Sequence, residues 1–172
     1  KEELLKVKAF VFDVDGVLSR DVSMLDANGE PSRTVNVKDG YALRNAVLNA
    51  YPVAIITGGR NENIRKRFQY LGITDIYLAV KNKEVCFDDF LQRYGLRAEN
   101  ILFMGDDLPD YPLMLRCGIP TCPYDAVTEI KVVSKYISDR NGGEGCVRDV
   151  IEQVMRAQEK WNTSVSFQQS SY

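Results

Sequence analysis

Short apolar runs alternate with helical patterns along nearly the whole chain, and this alternation restricts the fold more than any other feature of the sequence. Ala9-Phe10-Val11-Phe12, Val53-Ala54-Ile55-Ile56 and Ile101-Leu102-Phe103-Met104 contain no polar residue. A strand with one wet face would alternate in polarity. A continuous run reads instead as a strand covered on both faces, the usual situation in a parallel sheet. Parallel neighbours need crossover connections, commonly helices, of right-handed sense. The pattern predicts an α/β fold, a doubly wound Rossmann-like parallel sheet.

The segments between these strands carry their own signals. Residues 19–37 contain Asp26-Ala27-Asn28-Gly29 between β-prone stretches, which predicts a β-hairpin. Asp39 is expected to cap a helix reaching about Ala50, with Tyr41, Leu43, Ala46 and Val47 on its apolar side. Residues 61–71 read as a helix ended by Gly72, residues 75–80 as a strand, and residues 82–94 as a helix ended by Gly95. A short helix over 109–116, a strand at 119–121, a helix over 126–133, a strand at 136–138 and an amphipathic helix over 144–160 complete the order. Residues 1–160 are therefore expected to form a single domain, and residues 161–172, polar with isolated aromatics, to form a tail.

Composition removes several function classes. A net charge of -2 over 172 residues gives no reason to invoke nucleic acid or a membrane surface as partner. No apolar stretch approaches the roughly 20 residues that span a bilayer, and residues 1–6 are too charged to read as a signal peptide. Cys86, Cys117, Cys122 and Cys146 lack the spacing of a metal site or a disulfide framework, so a cytoplasmic location is expected. The chain has no histidine, which excludes histidine triads, phosphohistidine chemistry and histidine metal ligation together. None of the cysteines has an arginine six residues downstream, as a phosphate-cradling cysteine loop requires. Acid–base work must fall to carboxylates, lysine or tyrosine.

The strand ends carry the chemistry. Asp13-Val14-Asp15-Gly16 follows the first apolar run, and residues at i and i+2 of a strand share a face. Both carboxylates are then expected at the carboxyl end of the sheet, where open α/β sheets bind ligands. Two such charges require a cation between them or a shared proton. Thr57-Gly58 ends the second strand with a hydroxyl and a backbone N–H suited to a phosphate oxygen, Lys83 follows the third, and Gly105-Asp106-Asp107-Leu108-Pro109-Asp110 follows the fourth. Taken singly, these are a solvated strand end, a turn, a surface lysine and a helix cap. Taken together, Asp13, Asp15, Thr57, Lys83 and Asp106 converge on one sheet edge.

This ordered set resembles the haloacid dehalogenase superfamily of phosphohydrolases. The resemblance implies that Asp13 is a nucleophile forming an aspartyl-phosphate and that Asp15 is the general acid and base. It implies Mg²⁺ between Asp13, the Asp15 backbone carbonyl and Asp106, with Thr57 and Lys83 on the transferring phosphoryl group. Asp107 and Asp110 would orient the metal ligands and Lys83. Most members insert a cap domain. Here the predicted hairpin and helix use up the chain between Asp15 and Thr57, and one helix and one strand use up that between Thr57 and Lys83. The expectation is a hairpin flap and no cap domain.

Asn36-Val37-Lys38-Asp39-Gly40-Tyr41, Thr57-Gly58-Gly59-Arg60, Gly142-Gly143-Glu144-Gly145 and Val147-Arg148-Asp149 narrow the resemblance to the capless 3-deoxy-D-manno-octulosonate 8-phosphate phosphatase family of lipopolysaccharide biosynthesis. That family implies a homotetramer in which a neighbouring subunit closes the site. It implies substrate contacts at Asp15, Asn36, Val37, Lys38, Asp39, Gly40, Arg44, Gly58, Arg60, Arg67 and Lys83. The basic members of this set suit a ligand bearing both a carboxylate and a phosphate. Gly59-Arg60, where relatives acting on a nine-carbon keto-sugar acid 9-phosphate carry an acidic residue after Thr-Gly, favours the eight-carbon ester. The alternatives are that nine-carbon ester, another sugar phosphate, or a non-catalytic module on the same fold.

Overall fold

Why the apolar runs stay continuous is visible in the computed structural model, which describes residues 2–162. The central strand β1 (Ala9–Phe12) is fully buried and lies between β4 (Val53–Ile56) and β6 (Ile101–Met104), both also buried along their length. β5 (Asp75–Tyr77) extends one wing, and β7 (Ile119–Cys122) and β8 (Tyr136–Ile137) extend the other. The order is β5-β4-β1-β6-β7-β8 and every pairing is parallel. The chain moves outward from β1 on one side and later returns to its other side, so the crevice beside β1 is the switch point of the sheet.

Alternate residues of the central strands feed two cores. Phe10, Phe12, Val53, Ile55, Leu102 and Met104 pack against α1 (Val37–Leu48), α2 (Glu62–Tyr70) and α6 (Cys146–Ala157). Ala9, Val11, Ala54, Ile56, Ile101 and Phe103 pack against α3 (Lys83–Tyr94), α4 (Tyr111–Arg116) and α5 (Thr128–Val133). Each fully buried aromatic or aliphatic side chain contributes roughly 1.5–3 kcal/mol by leaving water. Among the described residues there is no cap domain. The predicted hairpin is present as β2 (Met24–Leu25) and β3 (Pro31–Ser32), antiparallel, with Asn28 and Glu30 N–H groups donating to Asp26 Oδ1 at 2.8 and 2.9 Å across the turn.

Several boundaries differ from expectation for local reasons. β5 stops at Tyr77, because Ala79 has a φ of 54° and its N–H turns to Gly59 O at 2.8 Å. α6 starts at Cys146 rather than 144, since Gly145 has a φ of 112° that no helix accommodates. Trp161 and Asn162, at the start of the expected tail, touch Tyr41 of α1. The Trp161 ring meets Tyr41 edge-on at 5.9 Å, and Tyr41 donates its hydroxyl to Asn162 Oδ1 at 2.6 Å. The rest of the expected tail, residues 163–172, lies outside the described residues.

The start of α1 is the most informative correction. Asn36, not Asp39, is its cap, accepting from the Asp39 N–H at 2.9 Å. Asp39 sits within the helix, 1% exposed, and its Oδ1 accepts from the Arg148 N–H at 2.9 Å. It thus caps α6 from a different helix, in place of Gly145, which has no side chain to do so. Burial raises its carboxyl to about 6, against the hydrogen bonds from the α6 amides and the nearby Arg148 and Arg140 charges. The buried Cys146 thiol, which burial also pushes up, is the other ionisable group facing it. Because the folded state holds this proton more tightly than the unfolded chain, the group favours folding most below its unfolded value. That advantage falls as pH rises from about 4 to about 6, and is gone above that. Asp39→Asn keeps the cap and removes the titration. On denaturant unfolding, wild type should gain stability relative to this variant between pH 7 and pH 4, by on the order of 2 kcal/mol.

Candidate active site

The register of the three central strands sets the site. Phe12 of β1 lies opposite Ile55 of β4 and Met104 of β6, so the chains leave the sheet side by side. Asp13 follows β1 with its N–H donating to Met104 O at 3.2 Å. Thr57 follows β4 with its N–H on Tyr77 O at 3.0 Å. Asp106 follows β6 and Gly105, and Lys83 opens α3 behind the Asn82 cap. An open cavity of about 740 Å³ covers this edge, lined among others by Asp13, Asp15, Thr57, Gly58, Arg60, Lys83, Asp106 and Asp107.

Lys83 is the electrostatic centre. Its Nζ lies 2.6 Å from Asp110 Oδ1 and 3.2 Å from Asp13 Oδ1, with 9% of the side chain exposed. Burial works against its charge, but the carboxylates of Asp13 and Asp110 outweigh burial and hold the ammonium above the ordinary lysine value. Asp110, fully buried, accepts from Lys83 with one oxygen and from the Asp106 N–H with the other, at 3.0 Å. The Asp106 carboxylate lies against Gly16, where a Cβ would stand 1.8 Å from its Oδ2; with a φ of 84°, Gly16 is required on both counts.

Negative charge exceeds positive here. Asp13, Asp106 and Asp110 offer oxygens within 4.8 Å of one another. Burial, then the charge of Asp110, pushes Asp13 well above the carboxylate range, and Lys83 only partly opposes this. Burial and Asp110 raise Asp106 to about 7. With Asp110 engaged by Lys83 and the Asp106 amide, Asp13 and Asp106 retain the free oxygens. Hard oxygen donors in carboxylate excess suit a small divalent cation such as Mg²⁺.

Asp15 differs from expectation. β1 ends at Phe12, so both aspartates lie beyond the strand, and the oxygens clustered with Asp13 are those of Asp106 and Asp110 rather than the Asp15 carboxylate. That carboxylate is half exposed and receives Arg33 from the flap. The Thr57 hydroxyl oxygen, fully buried, accepts from the Gly59 N–H at 3.0 Å, leaving its hydrogen free for a ligand.

Comparison with known proteins places this geometry. The sequence profile of the haloacid dehalogenase-like hydrolases matches residues 61–151. The 3-deoxy-D-manno-octulosonate 8-phosphate phosphatase of Escherichia coli K12 is 36% identical over 90% of this chain and 82% of its own. This chain belongs to the haloacid dehalogenase-like hydrolases. Among solved structures, the 3-deoxy-D-manno-octulosonate 8-phosphate phosphatase of Yersinia pestis superposes with a TM-score of 0.88 at 32% identity, covering 92% of this chain and 86% of that one. The corresponding Moraxella catarrhalis enzyme, in complex with a magnesium ion, a phosphate ion and a KDO molecule, gives 0.89 at 27% identity, covering 98% and 97%.

Within this hydrolase the remaining expected residues are dispersed. Asn36 caps α1 and donates to Gly143 O at 3.4 Å, Val37 is exposed, and Asp39 and Gly40 are buried under α6 and the core. Lys38 lines a separate polar hollow with Arg140, Glu144 and Arg148. Arg44 donates to Leu71 O at 3.3 Å, where it closes the end of α2. Arg67 lies in a neighbouring cleft between α2 and the flap. None of these lines the cavity that holds Asp13. The loop 142–145 packs on its own chain, with the Gly143 N–H on Val17 O at 2.9 Å. Sequence reasoning missed Arg33, Asp21, Glu30 and Lys81, which do line the cavity. The hairpin signal located Arg33 and Glu30 in a flap, but pattern alone could not say which flap residue turns inward.

Removing one of the clustered carboxylates tests the charge excess directly. Asp106→Asn should raise Tm by a few degrees without metal, since it relieves repulsion at a partly buried site. Millimolar Mg²⁺ should raise the Tm of wild type further in thermal scans, and Asp106→Asn should abolish that rise.

Proposed function

We propose that this chain is a Mg²⁺-dependent phosphatase that hydrolyses 3-deoxy-D-manno-octulosonate 8-phosphate to the free sugar acid and phosphate, in lipopolysaccharide biosynthesis. The observation that carries the reading is the Asp13 carboxylate held 3.2 Å from Lys83 Nζ on the floor of an open cavity, in a chain similar along most of its length to phosphatases of that ester. Mg²⁺, held by Asp13, Asp106 and the Asp15 carbonyl, would supply positive charge against the anionic phosphoryl group.

The residues then divide the work. An Asp13 oxygen attacks phosphorus as the ester P–O bond breaks, and the proton of Asp15 passes to the departing alkoxide. Lys83 and the Thr57 hydroxyl hold the phosphoryl oxygens, offsetting the repulsion between a phosphate dianion and a carboxylate. In the second half, Asp15 takes a proton from water as that water attacks the aspartyl-phosphate. The P–O bond to Asp13 breaks and inorganic phosphate leaves. Asp110 keeps Lys83 and the Asp106 amide in place. Arg60 and Lys81, both on the cavity rim, suit the substrate carboxylate.

The site of one chain is open, and the flap around it exposes Val22, Met24 and Leu25. The family's substrate-contacting residues matching Asn36, Lys38 and Arg67 do not line this chain's cavity. Both observations support a homotetramer in which a second copy covers the site. A cytoplasmic location accords with four free thiols. Among the described residues no helix is long and apolar enough to cross a membrane.

A panel of sugar phosphates with and without Mg²⁺, including the nine-carbon 9-phosphate, should give the highest kcat/KM for the eight-carbon ester. Asp13→Asn should abolish turnover while leaving the circular dichroism spectrum unchanged; retained activity overturns the mechanism. Sedimentation should show a tetramer for wild type. Met24→Glu with Leu25→Glu should give a smaller species with a raised KM, whereas a fully active wild-type monomer contradicts the shared site.

A further inference from the structure

The flap reaches the catalytic edge through one charged side chain. Its strands are largely exposed, and its backbone is tied down nearby by the Arg20 N–H donating to Thr34 Oγ1 at 3.0 Å. Between these sits Arg33, one residue beyond β3. Its Nε donates to Asp15 Oδ1 at 2.7 Å and its Nη2 to Asp15 Oδ2 at 3.0 Å, so the planar fork engages both carboxylate oxygens. The Arg33 side chain is only 12% exposed, although it leaves an open hairpin.

The space it occupies is specific. A Cβ at Gly59 would stand 2.6 Å from Arg33 Nη2 and 3.1 Å from its Cζ, so the guanidinium lies on the bare backbone of Gly59. Gly59 itself has no left-handed φ, so a side chain there would be opposed by the end of Arg33 and by Ile64 Cδ1 at 3.1 Å rather than by backbone strain. Asp15 lies past the end of β1, where an isolated bridge joins it to Ser19, and among the described residues its carboxylate otherwise meets the Ser19 hydroxyl at 3.4 Å. A two-pronged guanidinium–carboxylate pair fixes direction as well as charge, which a lysine ammonium does not.

We propose that Arg33 is a positioning residue for Asp15, and that through it the posture of the flap sets the geometry of proton transfer. The proposal rests on the phosphatase reading. In the first half-reaction one Asp15 oxygen carries the proton that goes to the leaving alkoxide, so one prong of the fork is released. In the second half-reaction Asp15 acts as a carboxylate accepting a proton from water, the form that both prongs hold. Arg33 thus keeps the same carboxylate aimed at the reacting oxygens through both halves without touching the phosphoryl group.

Steady-state phosphate release from the eight-carbon ester, measured on the full chain with Mg²⁺, tests this. Arg33→Met should lower kcat by about a hundredfold, the scale of a misplaced catalytic group, with KM changed less than about threefold. Arg33→Lys should restore little of the loss, because it supplies charge without the fork. Gly59→Ala, which leaves Arg33 in the chain but displaces it, should lower kcat part of the way. Tm should stay near that of wild type in all three. In an Asp15→Asn background, Arg33→Met should cost nothing further. A raised KM at unchanged kcat assigns Arg33 to substrate binding and overturns the proposal, as does an equal loss with and without Asp15. Wild-type turnover separates the two readings. If wild type and Asp13→Asn do not differ, the phosphatase reading fails; if they differ and Arg33→Met keeps wild-type kcat, only the Arg33 assignment fails.

Discussion

Three carboxylates share one buried ammonium at the carboxyl edge of this sheet, and most of the surrounding structure serves that imbalance. Asp13, Asp106 and Asp110 approach within 4.8 Å of one another, and Lys83 pairs with Asp13 and Asp110 from within. A buried carboxylate without compensation takes up a proton, which is why burial and Asp110 push both Asp13 and Asp106 upward. In the proposed reaction a protonated Asp13 would be a poor nucleophile. The same crowding that costs stability in the bare protein therefore creates the demand for a divalent cation, and Asp110 prevents Lys83 from satisfying Asp13 alone.

Such an arrangement persists only on a rigid frame. Phe12 pairs with Ile55 and Met104 at the ends of three fully buried strands, and both faces of those strands are packed. A one-residue slip would exchange every side chain between the two cores, so the register that fixes Asp13 beside the β6 loop is enforced by apolar packing remote from the chemistry. Gly16 shows the same economy locally: the turn it makes leaves the space that the Asp106 carboxylate fills.

The continuous apolar runs and the helix stops made the sheet, its parallel sense and the flap legible, because strand burial and glycine conformation act locally. Boundaries such as Tyr77 and Cys146 were set by single residues, Ala79 and Gly145, whose positive φ values the hydrophobic pattern does not show. Asp39 was misread for a related reason. An aspartate near a helix start looks like its cap, and only the packing of α6 on α1 shows that it caps the other helix. The convergence of Asp13, Thr57, Lys83 and Asp106 was readable because three follow strands and Lys83 opens a helix at the same edge. The setting of Arg44 was not, since a basic side chain on an amphipathic helix looks the same whether or not it also donates to the carbonyl at the end of α2. Arg33 was invisible because nothing in a hairpin's sequence says what its inward residue will meet.

The separation of Asp13 from Asp15 follows from where each leaves the sheet. Asp13 directly follows the central strand and is held by a backbone hydrogen bond to β6 and by Lys83, which suits a group that must meet phosphorus along one line. Asp15 lies two residues further on, half exposed, and takes its direction from a flap rather than from the sheet. In the proposed reaction Asp15 first gives a proton to one oxygen and then takes one from another, a task that gains from an adjustable mount. The two aspartates look equivalent in the motif, yet one belongs to the frame and the other to the flap. That difference in mounting matches the roles proposed for them, a nucleophile and an acid–base.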